Sequence, residues 1–258
     1  MVEVGKILIN EKVGKDIWRM EIKSPWIAKK ALPGQFVNVR INNVNEPILR
    51  RPISLHGIDA DNGILSLLYL VVGRGTEMMT KMENGDKIDL LGPLGNGSFT
   101  TSFKGRRAVI VAGGIGSAPF YPLIEALKAA KKEVVMIYGA RDKENLTCLD
   151  LYEEEGVRMI PVTEDGSVGE KGFVTGPLDR LLTEEGTDFV YACGPEAMLK
   201  AVEEVAEKHG VAGEVSTEAR MACGIGICVG CTKQGNDGKR YKVCQDGPVF
   251  KMGVIEYE

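Results

Sequence analysis

Four cysteines near the C-terminal end constrain this 258-residue chain more than any other feature. Cys223, Cys228, Cys231 and Cys244 are spaced C-x4-C-x2-C-x12-C. C-x4-C-x2-C followed by a distant cysteine is the plant-type [2Fe–2S] pattern. Two irons need four thiolates at tetrahedral positions, so three cysteines on one loop wrap the cluster and the fourth closes it from a neighbouring turn. Gly224, Gly226 and Gly230 let such a loop curl and turn backbone N–H groups towards the sulfurs. The same four thiolates also suit a structural zinc ion, and soft sulfur ligation alone does not separate the two. Zinc sites usually open with shorter cysteine pairs, which favours iron–sulfur. The surrounding segment, 213–258, is rich in Gly and Cys and too short for a hydrophobic core of its own, so a metal centre is expected to organise it. Cys148 and Cys193 stand apart and are expected to be structural or weakly functional.

Composition narrows the classes. With 44% hydrophobic and 26% charged residues the chain has an ordinary globular balance, which excludes disorder as the dominant state. The formal charge of −4 gives no basic stripe for neutralising phosphates, so nucleic acid is not an expected partner. The longest apolar stretches, Ile64 to Val72 and Ala108 to Ala112, fall far short of the roughly 18–20 residues that span a bilayer. The opening MVEVGKILINEKVGKD alternates charge and apolar residues with no apolar signal region, so the expected location is cytoplasmic and six cysteines read as thiols or metal ligands, not disulfides.

Two periodicities divide the chain. Glu3–Ile9, Asp16–Lys23, Gln35–Ile41, Pro52–Ile58, Ile64–Val72 and Lys87–Leu91 are short apolar or alternating runs, separated by turns such as Pro33-Gly34, Asp61-Asn62-Gly63 and Glu83-Asn84-Gly85. They predict an antiparallel barrel, with one helical insertion at Thr76–Met82 capped by Thr76. After the Gly/Ser/Thr-rich stretch Gly95–Gly105, strands and helices alternate. Strands are expected at Arg107–Ala112, Glu133–Tyr138, Val157–Val162 and Asp188–Ala192. Helices are expected at Pro119–Ala130, Glu144–Glu155, Pro177–Glu185 and Glu196–His209. Continuous apolar strands between amphipathic helices mark a parallel sheet covered on both faces. The expected organisation is a barrel over 1–103, an α/β unit over 104–212 and a cluster module over 213–258.

Three further segments carry chemistry. Arg50-Arg51-Pro52-Ile53-Ser54 begins a barrel strand, where a guanidinium can grip a pyrophosphate and a hydroxyl or amide can meet a flavin nitrogen. Gly73-Arg74-Gly75-Thr76 opens a helix and exposes amides to a phosphate. Each alone is a weak signal, since the arginines also read as surface charge and the glycines as an ordinary turn. In the α/β half, VIVAGGIGSAP at Val109–Pro119 sets Gly113, Gly114, Gly116 and Ser117 between a strand and a helix, where α/β sheets bind nucleotides. Pro119 replaces the third glycine of the dinucleotide fingerprint, and no acidic residue clearly follows the next strand; Arg141 there leaves NAD against NADP open. Cys193-Gly194-Pro195 turns at the carboxyl edge of the last strand, beside the same crevice. His56 and His209 read as a strand residue and a helix-end residue, not as catalysts.

A barrel with R-x-x-S at Arg51–Ser54 and G-x-G-T at Gly73–Thr76, then an α/β unit with GGIG-x-x-P and C-G-P, resembles the ferredoxin–NADP reductase superfamily over residues 3–212. With ARMACGIG at Ala219–Gly226 and VCQDGPVF at Val243–Phe250, the whole chain resembles the electron-transfer subunits of class 1B dihydroorotate dehydrogenases. The resemblance implies an FAD held by Arg51, Pro52, Ile53, Ser54, Leu68, Tyr69, Leu70, Gly75 and Thr76. It implies NAD on the Gly113–Ser117 loop with Cys193, Gly194 and Pro195, and a [2Fe–2S] cluster on Cys223, Cys228, Cys231 and Cys244. Ile53 stands where many of the superfamily's reductases carry a Tyr against the flavin, which points to Tyr69 for ring packing. Related subunits of ferredoxin-linked reductases sometimes carry an acidic residue as fourth ligand; this chain has Cys244. The implied activity is oxidoreductase electron transfer in pyrimidine biosynthesis. A catalytic partner's FMN oxidises dihydroorotate, electrons pass through the cluster and FAD to NAD+, and two subunits of each kind form a heterotetramer. Two alternatives stand beside it: an NAD(P)H reductase subunit exchanging electrons with ferredoxin or polysulfide, and a zinc-stabilised module that kept the fold without redox function.

Overall fold

The computed structural model describes residues 1–41 and 47–257. Its first half is a closed barrel of β1 (Val2–Gly14), β2 (Ile17–Lys23), β3 (Phe36–Arg40), β4 (Arg51–Asp59), β5 (Ile64–Leu70) and β6 (Lys87–Leu94) in the order β1-β2-β5-β4-β3-β6. Every neighbouring barrel pair among the described residues is antiparallel. Period-two alternation sets what faces where. On β5, Leu65, Leu67 and Tyr69 fill the barrel interior, whereas Leu68 faces out and packs with Ile17 and Ala118. A register shift between Leu55 and Gly57 leaves Leu55 inside and turns His56 out, where its Nδ1 lies 3.0 Å from the Ala118 carbonyl oxygen.

The barrel's two helices depart from the sequence expectation. The helix α1 (Pro25–Lys30) has no cap in its own sequence. The carboxylate of Glu3, on β1, accepts from Ser24 Oγ (2.5 Å), Trp26 N (3.1 Å) and Ile27 N (2.9 Å), satisfying the orphan amides from over twenty residues away. The second helix, α2 (Arg74–Met79), starts two residues before Thr76. Thr76 lies within its first turn, and its Oγ1 accepts from Val72 N at 3.0 Å instead of standing ahead of the helix as its cap.

The second half is a seven-stranded sheet of order β10-β9-β8-β7-β11-β12-β15. Its strands are β7 (Arg107–Gly113), β8 (Glu133–Ala140), β9 (Arg158–Thr163), β10 (Glu170–Lys171), β11 (Phe189–Cys193), β12 (Gly213–Ser216) and β15 (Val249–Lys251). Every neighbouring pair is parallel except β12 with β15. Around it run α3 (Phe120–Ala129), α4 (Leu149–Glu154), α5 (Thr175–Glu184) and α6 (Glu196–Lys208). The single helix expected over Glu144–Glu155 is corrected to a 3-10 turn at Lys143–Asn145 followed by α4. Asp142 closes that turn by accepting from Glu144 N and Asn145 N, and Cys148 enters α4 at φ 59°, a left-handed conformation that breaks the helix.

The sheet runs past residue 212, because Gly213–Ser216 pairs with Val190–Cys193 on one side and with Lys251–Val249 on the other. Between β12 and β15 in the chain lie the hairpin β13 (Thr232–Gln234) and β14 (Arg240–Lys242), and the short helix α7 (Val243–Asp246). Cys231, Val243, Cys244 and Phe250 share one buried core with Val109, Val111 and Val190 of the sheet and with Phe36 and Leu94 of the barrel. Sheet pairing and this shared core therefore organise the C-terminal segment, alongside any metal. The stretch Gly95–Gly105 is fastened as well: Asn96 N donates to Gln245 O (3.2 Å), Gly97 N to Gly247 O (2.9 Å) and Thr100 N to Glu214 Oε2 (2.9 Å). Among the described residues, no helix is long and apolar enough to cross a membrane.

Candidate redox centre and nucleotide cavity

The cysteine loop leaves β12 and turns at Gly224 (φ 70°) and Gly226 (φ 81°). The third positive φ of the loop falls on Val229 (φ 54°) and not on Gly230, and a β-branched residue in that region is strained. Backbone N–H groups point at sulfur as the glycines predict. Ile225 N (3.5 Å) and Cys228 N (3.4 Å) donate to Cys223 Sγ, Gly226 N (3.2 Å) to Cys244 Sγ, and Cys244 N (3.4 Å) to Cys231 Sγ. Burial pushes the Cys223 thiol up, but the amides of Cys228 and Ile225 outweigh it and bring the group down to about 6. Burial, then contact with Cys231, raises Cys244 to about 12.

The thiols stand in two pairs, Cys223 with Cys228 and Cys231 with Cys244. Among the described residues, no three His, Cys, Asp or Glu side chains converge on a point that one ion would fill. Paired thiols wrapped by N–H donors suit a cluster in which each of two irons takes two thiolates. Cys231 and Cys244 are buried, whereas Cys228 is exposed, as are its neighbours Ile225, Ile227 and Val229.

On the barrel, the R-x-x-S strand divides by face. Phe36 pairs with Ser54 and Asn38 with Pro52. Phe36 packs into the core shared with the cysteine segment, so Ser54 and Pro52 lie on the outer face, as does Leu68. Ile53 packs against the barrel core and Tyr69 is part of it, where the Tyr69 hydroxyl donates to Asn10 Oδ1 at 2.9 Å. Ring packing by the Tyr69 side chain is therefore corrected, and both residues offer only backbone to a ligand on the outer face. Arg50 is committed to Asp89, at 2.8 Å. Arg51 instead lies against Gly75, where an added Cβ would come 2.3 Å from Arg51 Nε. This glycine thus keeps open the space beside the guanidinium.

A cavity of about 740 Å³ opens between the barrel and the sheet. Gly113, Gly114, Gly116, Gly194 and Pro195 line it, and Ile17 and Leu70 of the barrel close one side. Ser117 and Cys193 do not line it. Ser117 Oγ donates to Tyr138 Oη at 3.1 Å, and the Cys193 thiol is buried, which raises its pKa. Both sit behind the wall and hold it. Arg141 lies at the rim beside Glu164, and Glu218 reaches the cavity from the segment after β12. Sequence reasoning missed Glu164 and Glu218, because each becomes a lining residue only through a crossover between strands.

His56 couples the barrel to this wall through Ala118. Burial holds its imidazole down at about 4, against an ordinary 6.5, so the folded protein keeps it neutral. As pH falls below 6.5 the unfolded chain takes up the proton first, and stability is lost until pH reaches about 4, to a total of about 3 kcal/mol. We expect urea midpoints to fall more between pH 7 and 5 in the wild type than in His56→Gln. Equal slopes would remove His56 as the cause.

The comparisons with known proteins agree with this geometry. Residues 218–256 match the iron–sulfur cluster binding domain of dihydroorotate dehydrogenase B, and residues 110–204 the oxidoreductase NAD-binding domain. The chain is 39% identical to the dihydroorotate dehydrogenase B (NAD(+)) electron transfer subunit of Desulforamulus reducens, covering 98% of each chain. It is 38% identical to that of Fusobacterium nucleatum, covering 96% of each. Among solved structures, an NADH-dependent reduced ferredoxin-NADP oxidoreductase studied for flavin-based electron bifurcation matches at 32% identity and TM-score 0.89, over 99% of this chain and 90% of that one. The ferredoxin reductase of carbazole 1,9a-dioxygenase, 20% identical with TM-score 0.70 over 82% of this chain and 66% of its own, shares the fold. With relatives matched nearly end to end at 39% and 38% identity, and with the cysteine segment matching the cluster-binding domain, the chain belongs to the family of dihydroorotate dehydrogenase B electron transfer subunits.

Proposed function

We propose that this chain carries electrons between a catalytic partner that oxidises dihydroorotate and NAD+, as a subunit of an NAD-linked oxidoreductase of pyrimidine biosynthesis. One observation carries the reading: the cavity, the outer face of β4 and β5, and the cysteine loop are contiguous. Leu70 lines the cavity, its strand neighbour Leu68 lies on the same outer surface as Ser54 and Pro52, and Asn38 beside Pro52 abuts Gly224 of the loop. The line ends at exposed Cys228 within an apolar rim of Ile225, Ile227 and Val229, a surface suited to docking another subunit.

The residue roles follow the chemistry. Arg51, Gly75 and Thr76 hold the FAD phosphates, while Pro52, Ser54, Leu68 and Leu70, with the backbone of Ile53 and Tyr69, seat its ring. Gly113, Gly114, Gly116, Gly194 and Pro195 seat NAD, with Ser117 and Cys193 bracing that wall. Cys223, Cys228, Cys231 and Cys244 hold the [2Fe–2S] cluster. When bound, FAD supplies the exchange between electron pairs and single electrons, and the cluster supplies single-electron transfer. The chain itself positions these groups and the flavin supplies the reactivity, so no acid–base residue is needed. We take the units as 1–103, 104–212 and 213–258, the partner as an FMN-containing catalytic subunit in a two-plus-two assembly, and the location as cytoplasmic.

The likeness to the ferredoxin-NADP oxidoreductase favours a second reading, in which the chain exchanges electrons with ferredoxin through another partner. Anaerobic absorption and EPR spectra of the chain purified with its cognate catalytic subunit, before and after NADH and then dihydroorotate, separate the two. Flavin and a [2Fe–2S] signal reduced by both substrates is the expected result. Reduction by NADH alone would favour the second reading, and zinc without flavin or iron would overturn both.

A further inference from the structure

Asn38 is an anomaly in β3. Phe36, Val37 and Val39 around it are buried apolar residues, and Asn38 is fully buried among them. Among the described residues, neither its Oδ1 nor its Nδ2 has a hydrogen-bond partner. A buried carboxamide with both ends unpaired lowers stability unless something completes it. Its surroundings indicate what does. Asn38 pairs with Pro52 on the outer face, and an added Cβ on Gly224 would lie 2.1 Å from its Nδ2. Gly224 follows Cys223, whose Sγ already accepts two backbone N–H groups. The carboxamide donor is therefore set against the cysteine loop, at the junction between the proposed flavin strip and the cluster.

We infer that Asn38 is a positioning residue for the iron–sulfur centre, donating its Nδ2–H to the sulfur side of the cysteine loop once the cluster is in place. The inference rests on the electron-transfer reading above. An N–H donated to cluster sulfur stabilises the added negative charge of the reduced state, so Asn38 holds the cluster potential up. It also explains the unpaired carboxamide, since stability of the cofactor-free barrel is given up for a contact made only in the holoprotein.

Asn38→Leu keeps the shape and removes the donor. In the holoprotein, an EPR-monitored titration should show the cluster potential moved down by about 59 mV, a tenfold bias towards the oxidised form for a one-electron couple. FAD content and flavin potential should stay at wild-type values. The cofactor-free Asn38→Leu protein should melt a few degrees above the wild type, because an unpaired polar group has been removed; a merely structural asparagine would give a lower melting point. Asn38→Gln should recover part of the potential shift. Should Asn38→Leu fail to fold, Asn38→Ser supplies the same titration. An unchanged cluster potential, a shift confined to the flavin, or a less stable cofactor-free protein each overturns the inference. A wild-type protein with no [2Fe–2S] signal overturns the electron-transfer reading itself, which separates that failure from this one.

Discussion

Cys228→Ser yields a protein that keeps its flavin and its NADH-dependent reduction of a small dye, but holds no [2Fe–2S] cluster and exchanges no electrons with its catalytic partner. The separation follows from where the residue sits. Cys228 is exposed at the tip of the loop, while Arg51, Ser54, Gly75 and Thr76 belong to the barrel. A serine hydroxyl stays protonated where a thiol yields the thiolate that iron needs, so the pair formed with Cys223 loses one ligand. Losing only a partner that orients a ligand costs 10–100-fold in metal affinity or activity as a rule; losing the ligand should lower electron exchange by at least on the order of 100-fold. Iron content, the EPR signal after chemical reduction and released flavin are measured on one sample. Flavin lost in proportion to iron would show that the two sites are one folding unit and refute the separation. Cys231→Ser is the instructive contrast. Cys231 is only 3% exposed and packs in the core that joins barrel, sheet and C-terminal segment, so its replacement should lower stability as well as cluster content.

The architecture was legible in the sequence wherever a side-chain period or a spacing encodes it. Alternation in Ile64–Leu70 and the apolar runs at Arg107–Gly113 and Glu133–Ala140 each imply one element and one buried face. The cysteine spacing likewise implies the loop. What stayed hidden depends on contacts distant in sequence. The cap of α1 comes from Glu3, so no local signal announces that helix. Alternation shows that Leu68 and Tyr69 face opposite ways but not which face meets a ligand: the sequence offers Tyr69 as an aromatic beside a flavin, and the fold places it inside the barrel with Leu65 and Leu67. Strain is hidden too, since glycines were the natural candidates for the loop's positive φ values and Val229 takes one of them. The C-terminal segment lacked enough apolar residues for a core, and the solution was to borrow one through Phe250, Val243 and two of the cysteines.

Gly116→Ala should weaken productive nicotinamide binding about tenfold or more while leaving flavin and cluster spectra unchanged. Gly116 lies in the 3-10 turn Gly114–Ser117 that follows β7, and its importance is a matter of space. A Cβ there would come 2.4 Å from the Cys193 carbonyl oxygen, 2.6 Å from its carbon and 2.8 Å from Gly194 N. These are backbone atoms of the strand end and turn opposite, so no rotamer change relieves the clash. The turn also has nowhere to retreat. Ser117 Oγ donates to Tyr138 Oη at 3.1 Å, and Tyr152 Oη donates to the Ser117 carbonyl at 3.0 Å. The methyl group must therefore push apart the two glycine walls of the cavity. A 1 Å displacement of a positioned reactant can cost on the order of 100-fold in rate, and a loss of 1.4 kcal/mol in binding is tenfold in affinity. We expect KM for NADH to rise about tenfold or more and kcat to fall with it, because the same wall seats and orients the ring. Stopped-flow reduction of the bound flavin by NADH measures both without the partner subunit. Wild-type kinetics in a correctly folded Gly116→Ala protein would mean that NAD binds elsewhere and that the cavity between barrel and sheet serves another purpose.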